Sequence, residues 1–468
     1  MIFWLSLAAL AQDDWGEDDD VGFGDFDVVV EEEDTSPPSP FSFGGSARTT
    51  ESLWVERLSD QPWAKARQSL DLWTRYKEDS WRLEFSGHAE IDFPYWISRD
   101  DFDEQTFDTY AWQVLPREAL IAVSVGQFEI TAGRQLIVWG EGMLLSPVDV
   151  VAARDLRDPG LADLEDLRLP VTALRVGWFA GSHRVEVTGV PELDWGFRSS
   201  PAGPYGPVPT LLDDNGVNDN PLVAPLFEDV EYAYVHQQDR FALEQVQGFA
   251  RWRYSGPVDL GLYAASLYDK NGIMTLPDPT DFLAAADAGL IELSLDHRRY
   301  AMVGHSGTGG VGDLLFRWEA SLDIDRPFNT ADLEALVPEL KSRRADLVNL
   351  MGGVQLAAIP RTTLDFEVAG GVFPKEPQNL LFKANAVTYG FRGAHTALKE
   401  RLNLGVSALG TGVDLKYGGL VRADASYEIR DGLKAMVGGI VYRPGSENGF
   451  LLGLDTHDQV FAQLRYDF

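Results

Sequence analysis

From Trp81 onward the chain keeps a period of two. In "WRLEFSGHAEIDF" (81–93), Trp81, Leu83, Phe85, Gly87, Ala89, Ile91 and Phe93 alternate with Arg82, Glu84, Ser86, His88, Glu90 and Asp92. "GDLLFRWEASLDID" (312–325) sets Leu314, Phe316, Trp318, Ala320, Leu322 and Ile324 against Arg317, Glu319, Ser321, Asp323 and Asp325. "TTLDFEVAGGV" and "LVRADASYEI" repeat the design. The last ten residues, "QVFAQLRYDF", place Val460, Ala462, Leu464, Tyr466 and Phe468 on one side of an extended strand. Successive side chains of a strand point to opposite faces, so each segment has one apolar and one charged face. Runs of this length exceed the usual globular strand of about 5–6 residues. They match a tilted bilayer-spanning strand of about 9–11 residues plus its ends.

The pattern predicts sixteen strands: 81–93, 117–125, 127–138, 171–179, 183–190, 241–254, 257–268, 293–305, 311–325, 345–357, 362–373, 384–392, 397–409, 419–429, 432–442 and 459–468. Short turns at 180–182, 255–256, 306–310, 358–361, 393–395 and 430–432 alternate with long connections such as 94–116, 139–170 and 191–240. Short turns on one side and long loops on the other are the habit of outer-membrane barrels, with the short turns periplasmic. The expected fold is therefore all-β: a transmembrane antiparallel β-barrel of about sixteen strands over 81–468, or fourteen if one weak hairpin is lost. Phe468 ends the closing strand, and a terminal aromatic strand of this kind resembles the signal that barrel-assembly machinery reads.

Upstream of the barrel the texture changes. "MIFWLSLAALAQ" is a short apolar run ending in Ala9-Leu10-Ala11, which reads as a secretory signal peptide over residues 1–11. Residues 12–34 carry 12 Asp or Glu and no Lys or Arg, a solvated acidic segment. Residues 35–50, "TSPPSPFSFGGSARTT", extend it as a Pro/Ser/Gly linker. Within 51–80, "PWAKARQSLDLWTRY" (62–76) is predicted as a short periplasmic helix opened by Pro62.

Composition narrows the chemistry. A formal charge of -34 argues against nucleic acid, whose phosphates require a cationic stripe. With no cysteine there is neither a disulfide framework nor a thiolate metal site. "GTGGVG" (307–312) fits the dinucleotide spacing, but a strand follows it where a phosphate cradle needs a helix N-terminus. It reads as a hairpin turn. "GHSGT" (304–308) approaches a nucleophile elbow, lacks its last glycine, and places Ser306 in the same turn. The seven histidines show no metal-ligand spacing. No catalytic residue, cofactor or metal is expected, although an enzyme assembled across strands stays open.

One connection stands apart. After Trp139-Gly140-Glu141, residues 141–168 hold Glu141, Asp149, Arg154, Asp155, Arg157, Asp158, Asp163, Glu165, Asp166 and Arg168, stiffened by Pro147, Pro159 and Pro170. Two readings remain: an extracellular loop solvated by its own charges, or a loop folded into the lumen that sets the aperture and a transverse field. On the second reading, neutralising Arg154, Arg157 and Arg168 shifts ion selectivity toward cations. Strand parity puts Arg82, Glu84, Arg251, Arg253, Arg317, Glu319, Arg422 and Asp424 on the lumen wall. Parity sends Arg134 toward lipid, so a bulge near Gly133 or a place at the rim is expected.

The succession "GRQ", "WGE", "PVDV" and then "LP" before the next strand, with the later "VGHSGTGGVGDLLFRWEASLD", resembles the outer-membrane barrel family named Domain of Unknown Function 1302. The resemblance covers most of 81–468. It implies a porin-like envelope protein, in some cases partnered with export systems of the resistance-nodulation-division type, and carries no established substrate or catalytic residue. The expected function is a channel or transport component for a small solute in a Gram-negative outer membrane, in contact with lipid and lipopolysaccharide. A barrel-embedded hydrolase and a barrel plugged by the helix-prone "NTADLEALVPEL" (329–340), serving an export system, are the alternatives.

Overall fold

The computed structural model describes residues 39–58, 62–161, 167–209, 230–277, 279–332, 339–447, 449 and 451–468. The signal peptide 1–11, the acidic block 12–34, and Asp163, Glu165 and Asp166 lie outside the described residues.

Eighteen antiparallel strands form one sheet closed on itself. They are β1 (Phe41–Trp54), β2 (Trp63–Glu78), β3 (Trp81–Asp92), β4 (Trp112–Val125), β5 (Phe128–Gln135), β6 (Val171–Ala180), β7 (His183–Val190), β8 (Gln247–Tyr254) and β9 (Val258–Tyr268). The other half comprises β10 (Arg299–Val311), β11 (Leu314–Asp332), β12 (Glu339–Leu356), β13 (Thr362–Val372), β14 (Thr388–Ala397), β15 (Leu402–Thr411), β16 (Gly419–Arg430), β17 (Leu433–Arg443) and β18 (Gln459–Asp467). Each strand pairs with the next, and β18 returns to β1 with Ser46 opposite Asp467 and Trp54 opposite Gln459. Closure leaves no unpaired edge, the condition for strands to cross a bilayer. Polarity is inverted relative to a water-soluble core: Phe316 and Ile324 are 42% and 38% exposed outward, whereas Glu319 and Asp323, facing the lumen, are 2% exposed.

All sixteen expected strands are present, with shifted ends, and the count rises to eighteen because an N-terminal hairpin completes the barrel. Residues 41–54 are strand rather than linker, and 63–78 are strand rather than helix, paired from Phe41 opposite Tyr76 to Leu53 opposite Trp63. The helical reading of 62–76 followed Pro62 at its start, and Ala, Lys, Arg, Gln and Leu within it are good helix formers. Pairing with β1 and β3 overrides that preference.

Two turns also move. The 393–395 turn is strand, and the chain reverses at 398–401, where Leu398, Lys399 and Glu400 all take positive φ (52°, 58° and 71°) without a glycine to announce it. The 306–310 turn is likewise strand, with the reversal at Gly312-Asp313. Gly307 serves the Trp318 indole instead, since a Cβ there would lie 2.1 Å from the ring. The helix expected over 329–340 is absent from its described ends: β11 runs to Asp332 and β12 starts at Glu339, while 333–338 lie outside the described residues.

Short connections (79–80, 126–127, 181–182, 255–257, 312–313, 357–361, 398–401, 431–432) gather at one end and the longer ones at the other. The longer connections hold helices α1 (Phe93–Ile97), α2 (Glu104–Tyr110) and α3 (Pro279–Asp287), and short strands such as Ala153–Leu156 and Glu231–His236.

Candidate functional site: a loop across the lumen

Between β5 and β6, the described residues 136–161 and 167–170 turn inward. Apolar side chains seat the loop at two places. Ile137, Trp139, Val148, Val150 and Val151 pack with Phe249, Tyr263 and Met302 on the inner wall of β8–β10. Leu144 and Leu145 pack with Met351, Ala369, Leu409 and Ile440, reaching β12–β17. Burying these residues inside a polar lumen leaves the loop's backbone amides in need of acceptors. Two wall carboxylates supply them. Glu319 accepts the N–H of Glu141 (2.5 Å) and Gly142 (2.7 Å) and the Ser146 hydroxyl (2.7 Å). Glu367 on β13 accepts the N–H groups of Met143, Leu144 and Leu145 at 2.8–2.9 Å. Gly140 takes φ +88°, and a Cβ there would lie 2.2 Å from Ser146 Oγ and 2.6 Å from Glu319 Oε1.

Farther along, Asp149 gathers the loop on itself. It accepts the Trp139 N–H at 3.2 Å, Arg154 Nη2 at 2.9 Å and Arg168 Nε at 3.0 Å. Burial pushes this carboxyl up, but Arg168, Arg154 and the Trp139 amide outweigh it and hold Asp149 below the usual carboxylate range. The loop then reaches the opposite wall. Arg422 on β16 donates to the carbonyls of Gly160 (3.2 Å) and Leu161 (3.1 Å), and the Tyr442 hydroxyl donates to the Pro159 carbonyl at 2.5 Å. Asp158 meets Lys65 at 2.8 Å and Arg67 at 2.7 Å, both on β2. Burial raises the Asp158 carboxyl and these two cations, with Arg157, bring it down below its ordinary value. Arg157 bridges Glu90 on β3 (3.1 Å) and Asp155 (2.6 Å). Contacts on facing sectors of the wall mean that the described part of the loop lies inside the barrel rather than outside it.

A pocket remains between the loop and the wall of β1–β4, β16 and β18. Arg48, Lys65, Arg67, Arg117, Arg157 and Arg422 line it against Glu90, Asp155 and Asp158. Leu115, Leu161, Leu169 and Phe461 supply its apolar surface.

The expected site residues thus separate. Arg157, Asp155, Asp158 and Arg422 border the pocket, with Arg422 also bound to Asp424 at 2.9 Å. Asp149, Arg154 and Arg168 form the hub instead. Glu141 binds through its N–H, and its carboxylate accepts Thr308 Oγ1 at 3.3 Å. Glu319 and Arg317 stand behind the loop, Arg317 paired with Asp365 and lying 3.7 Å from Glu367. Arg251 pairs with Glu186 at 3.1 Å and donates to the Val138 carbonyl; Arg253, two residues nearer the 255–257 turn, shares its parity. Arg82 and Glu84 join Arg75 near the short-turn end, far along β3 from the loop. Arg134 sits at the rim, where it binds Glu192 at 2.9 Å, with regular pairing through Gly133.

Sequence reasoning missed Arg48, Lys65, Arg67, Arg117 and Glu367. For β2 a signal existed: Lys65, Arg67, Ser69 and Asp71 alternate with Ala64, Ala66, Leu70 and Leu72. Ser306 is not in a turn; it is buried within β10, its hydroxyl 2.9 Å from that of Tyr263. Among the described residues no cluster of His, Asp and Glu has metal-holding geometry.

Among solved structures, the chain is similar to Pseudomonas aeruginosa OccK9 (OpdG), at 11% identity, covering 92% of this chain and 97% of that one, with a TM-score of 0.50. It is also similar to Acinetobacter baumannii OccAB3 (9% identity, 92% and 98% covered, TM-score 0.48) and to Pseudomonas aeruginosa OpdK, solved with vanillate (10% identity, 92% and 98% covered, TM-score 0.47). At such identities the likeness concerns fold alone. No curated protein matches the chain. The model of the family described as "Protein of unknown function (DUF1302)" matches residues 117–446, from β4 to the end of β17 and well over half of the chain, and on that match the chain belongs to the DUF1302 family.

Proposed function

We propose that this protein is a porin-like channel of a Gram-negative outer membrane that passes a small solute, with the loop 136–170 as its constriction. The observation that carries this reading is the path of the loop: it is bound to Glu319 and Glu367 on one sector of the wall and to Lys65, Arg67 and Arg422 on another, and a charged pocket lies beside it. Such a lumen acts through size, hydrogen-bonding groups and field, and no covalent step is asked of it. Removal of residues 1–11 on export, contact of the apolar face with lipid and lipopolysaccharide, and recognition of the strand ending at Phe468 by barrel-assembly machinery complete the proposal.

Single-channel recording of the refolded protein in a planar bilayer tests it. Discrete conductance steps are expected. Silence from protein shown to be folded and inserted overturns the channel reading in favour of a plugged barrel serving an export system.

A further inference from the structure

One histidine stands on the wrong side of the barrel wall. In β10, Val303, His305 and Gly307 share the outward parity, while Met302, Ser306 and Thr308 turn in and are buried. Direct pairing sets His305 in a row across five strands with Trp252, Leu262, Ala320 and Leu350. Leu262 and Leu350 are 54% and 51% exposed, as side chains turned to lipid are. His305 lies six residues along β10 from Arg299, which binds Ser266 and the Val246 carbonyl at the long-loop rim, and seven from Gly312 in the short turn. At about 3.4 Å per residue and a tilt near 40°, both ends are roughly 15–18 Å away along the membrane normal, so the ring stands near the middle of the apolar band. It is exposed and has no hydrogen-bonding partner among the described residues. Hydrocarbon holds no water, and ionisable side chains at this depth pair with one another. Lipid therefore leaves the ring unsatisfied, whereas protein can satisfy it.

The partner that fits is a second copy of this chain. Barrels of one sequence enter the membrane in one orientation, so a two-fold axis along the membrane normal brings both His305 rings to the same depth. A neutral imidazole carries one donor and one acceptor, so the N–H of one ring can bind the bare nitrogen of the other. Ala320, directly opposite on β11, is small enough to let the second wall close on the ring. We infer that the outward face of β9–β11 is the contact of a homodimer, with His305 of each copy paired across the two-fold axis. The inference rests on the bilayer-spanning barrel and not on an open lumen, so a silent channel leaves it standing.

The chain has no cysteine, so Ser182→Cys, in the short turn before β7, gives one attachment point for a donor or an acceptor fluorophore. The test is energy transfer between the two labelled pools, reconstituted together in phosphatidylcholine bilayers over a range of protein-to-lipid ratios. Concentration-dependent transfer is expected, with the dependence on acceptor fraction that a dimer gives. His305→Leu should raise the dissociation constant roughly threefold to twentyfold, the worth of one hydrogen bond between membrane segments. His305→Asn again supplies a donor and an acceptor and should keep the dimer, although leucine is the more apolar residue. Val437→Leu, on the outward face of β17 at the far side of the barrel, should change nothing. Monomers at every ratio, a trimer or larger assembly, or a leucine variant as tightly paired as the unaltered chain overturns the inference. Should His305→Leu fail to insert, the unaltered chain and the asparagine variant decide: monomers in the first, or loss of pairing in the second, overturn it.

Discussion

Lys65 on β2 holds the Asp158 carboxylate of the inward loop at 2.8 Å, with side-chain exposures of 2% and 4%. The N-terminal hairpin is thereby tied to the constriction as well as to its strand neighbours. Removing one member of a buried pair leaves an uncompensated charge, at a cost of about 3–5 kcal/mol, while removing both is far milder. Lys65→Met leaves Asp158 with Arg67 at 2.7 Å, so it is expected to lower the unfolding free energy in urea by less than that figure, and Lys65→Met with Asp158→Leu to restore most of the loss. A double variant as unstable as the single one would show that the pair is not the coupling.

Selectivity separates the loop's arginines. Arg154 is spent on Asp149 and is 7% exposed, whereas Arg48 and Arg117 border the pocket. Under a salt gradient, Arg48→Gln and Arg117→Gln should move the reversal potential toward cation preference. Arg154→Gln should leave it in place. A shift with Arg154→Gln as large as that with Arg117→Gln contradicts the assignment.

The latch at Glu319 can be broken from either side. Gly140→Ala puts a side chain into a left-handed position against Ser146 and Glu319 and costs about 1–3 kcal/mol in strain alone. Glu319→Gln keeps the shape but replaces one acceptor oxygen by a donor facing N–H groups. Both variants should release the loop, giving larger and noisier single-channel currents and faster tryptic cleavage within 154–168. Unchanged currents in both would mean that Glu367 and the apolar contacts suffice.

How much of this was legible follows from the forces that set each part. Strands such as β11 and β18 were readable because bilayer and lumen impose opposite demands on alternate residues. Strand β1 was not, because its outward positions include Thr49 and Glu51; on β2 the alternation is broken at Gln68, which donates to Thr49 at 2.6 Å, and good helix formers mask the rest. The inward loop announced itself by its charges and prolines. Its latch did not, since Glu319 and Glu367 hold backbone amides, which have no sequence signature. Gly307 and Gly393 misled for a related reason: each makes room for a neighbouring side chain inside a strand rather than marking a reversal.

The loops at the long-loop end should loosen in acid. The His457 ring has Nε2 2.6 Å from the Pro204 carbonyl and lies edge-on to Trp54, tying segment 444–458 to the loop that follows β7. Burial, then Arg57, pushes its pKa down to about 4; Asp455 and the Pro204 contact pull the other way. His236, stacked on Trp195 and 2.8 Å from His297, is pushed to about 3 by burial and then by His297 and Arg198. Both values lie below the ~6.5 of a solvated histidine, so as pH falls the opened loops take up protons before the closed ones do. The contribution of these histidines is therefore full above about pH 6.5 and is lost as pH falls toward 4. Hydrogen exchange corrected for its intrinsic pH dependence should accelerate over 444–458 and 231–236 between pH 7.5 and 4.5. His457→Gln preserves an N–H for the Pro204 carbonyl and removes the titration, so it should flatten the response over 444–458 and spare that over 231–236. An unaltered acid response over 444–458 in that variant would assign the loosening to another group.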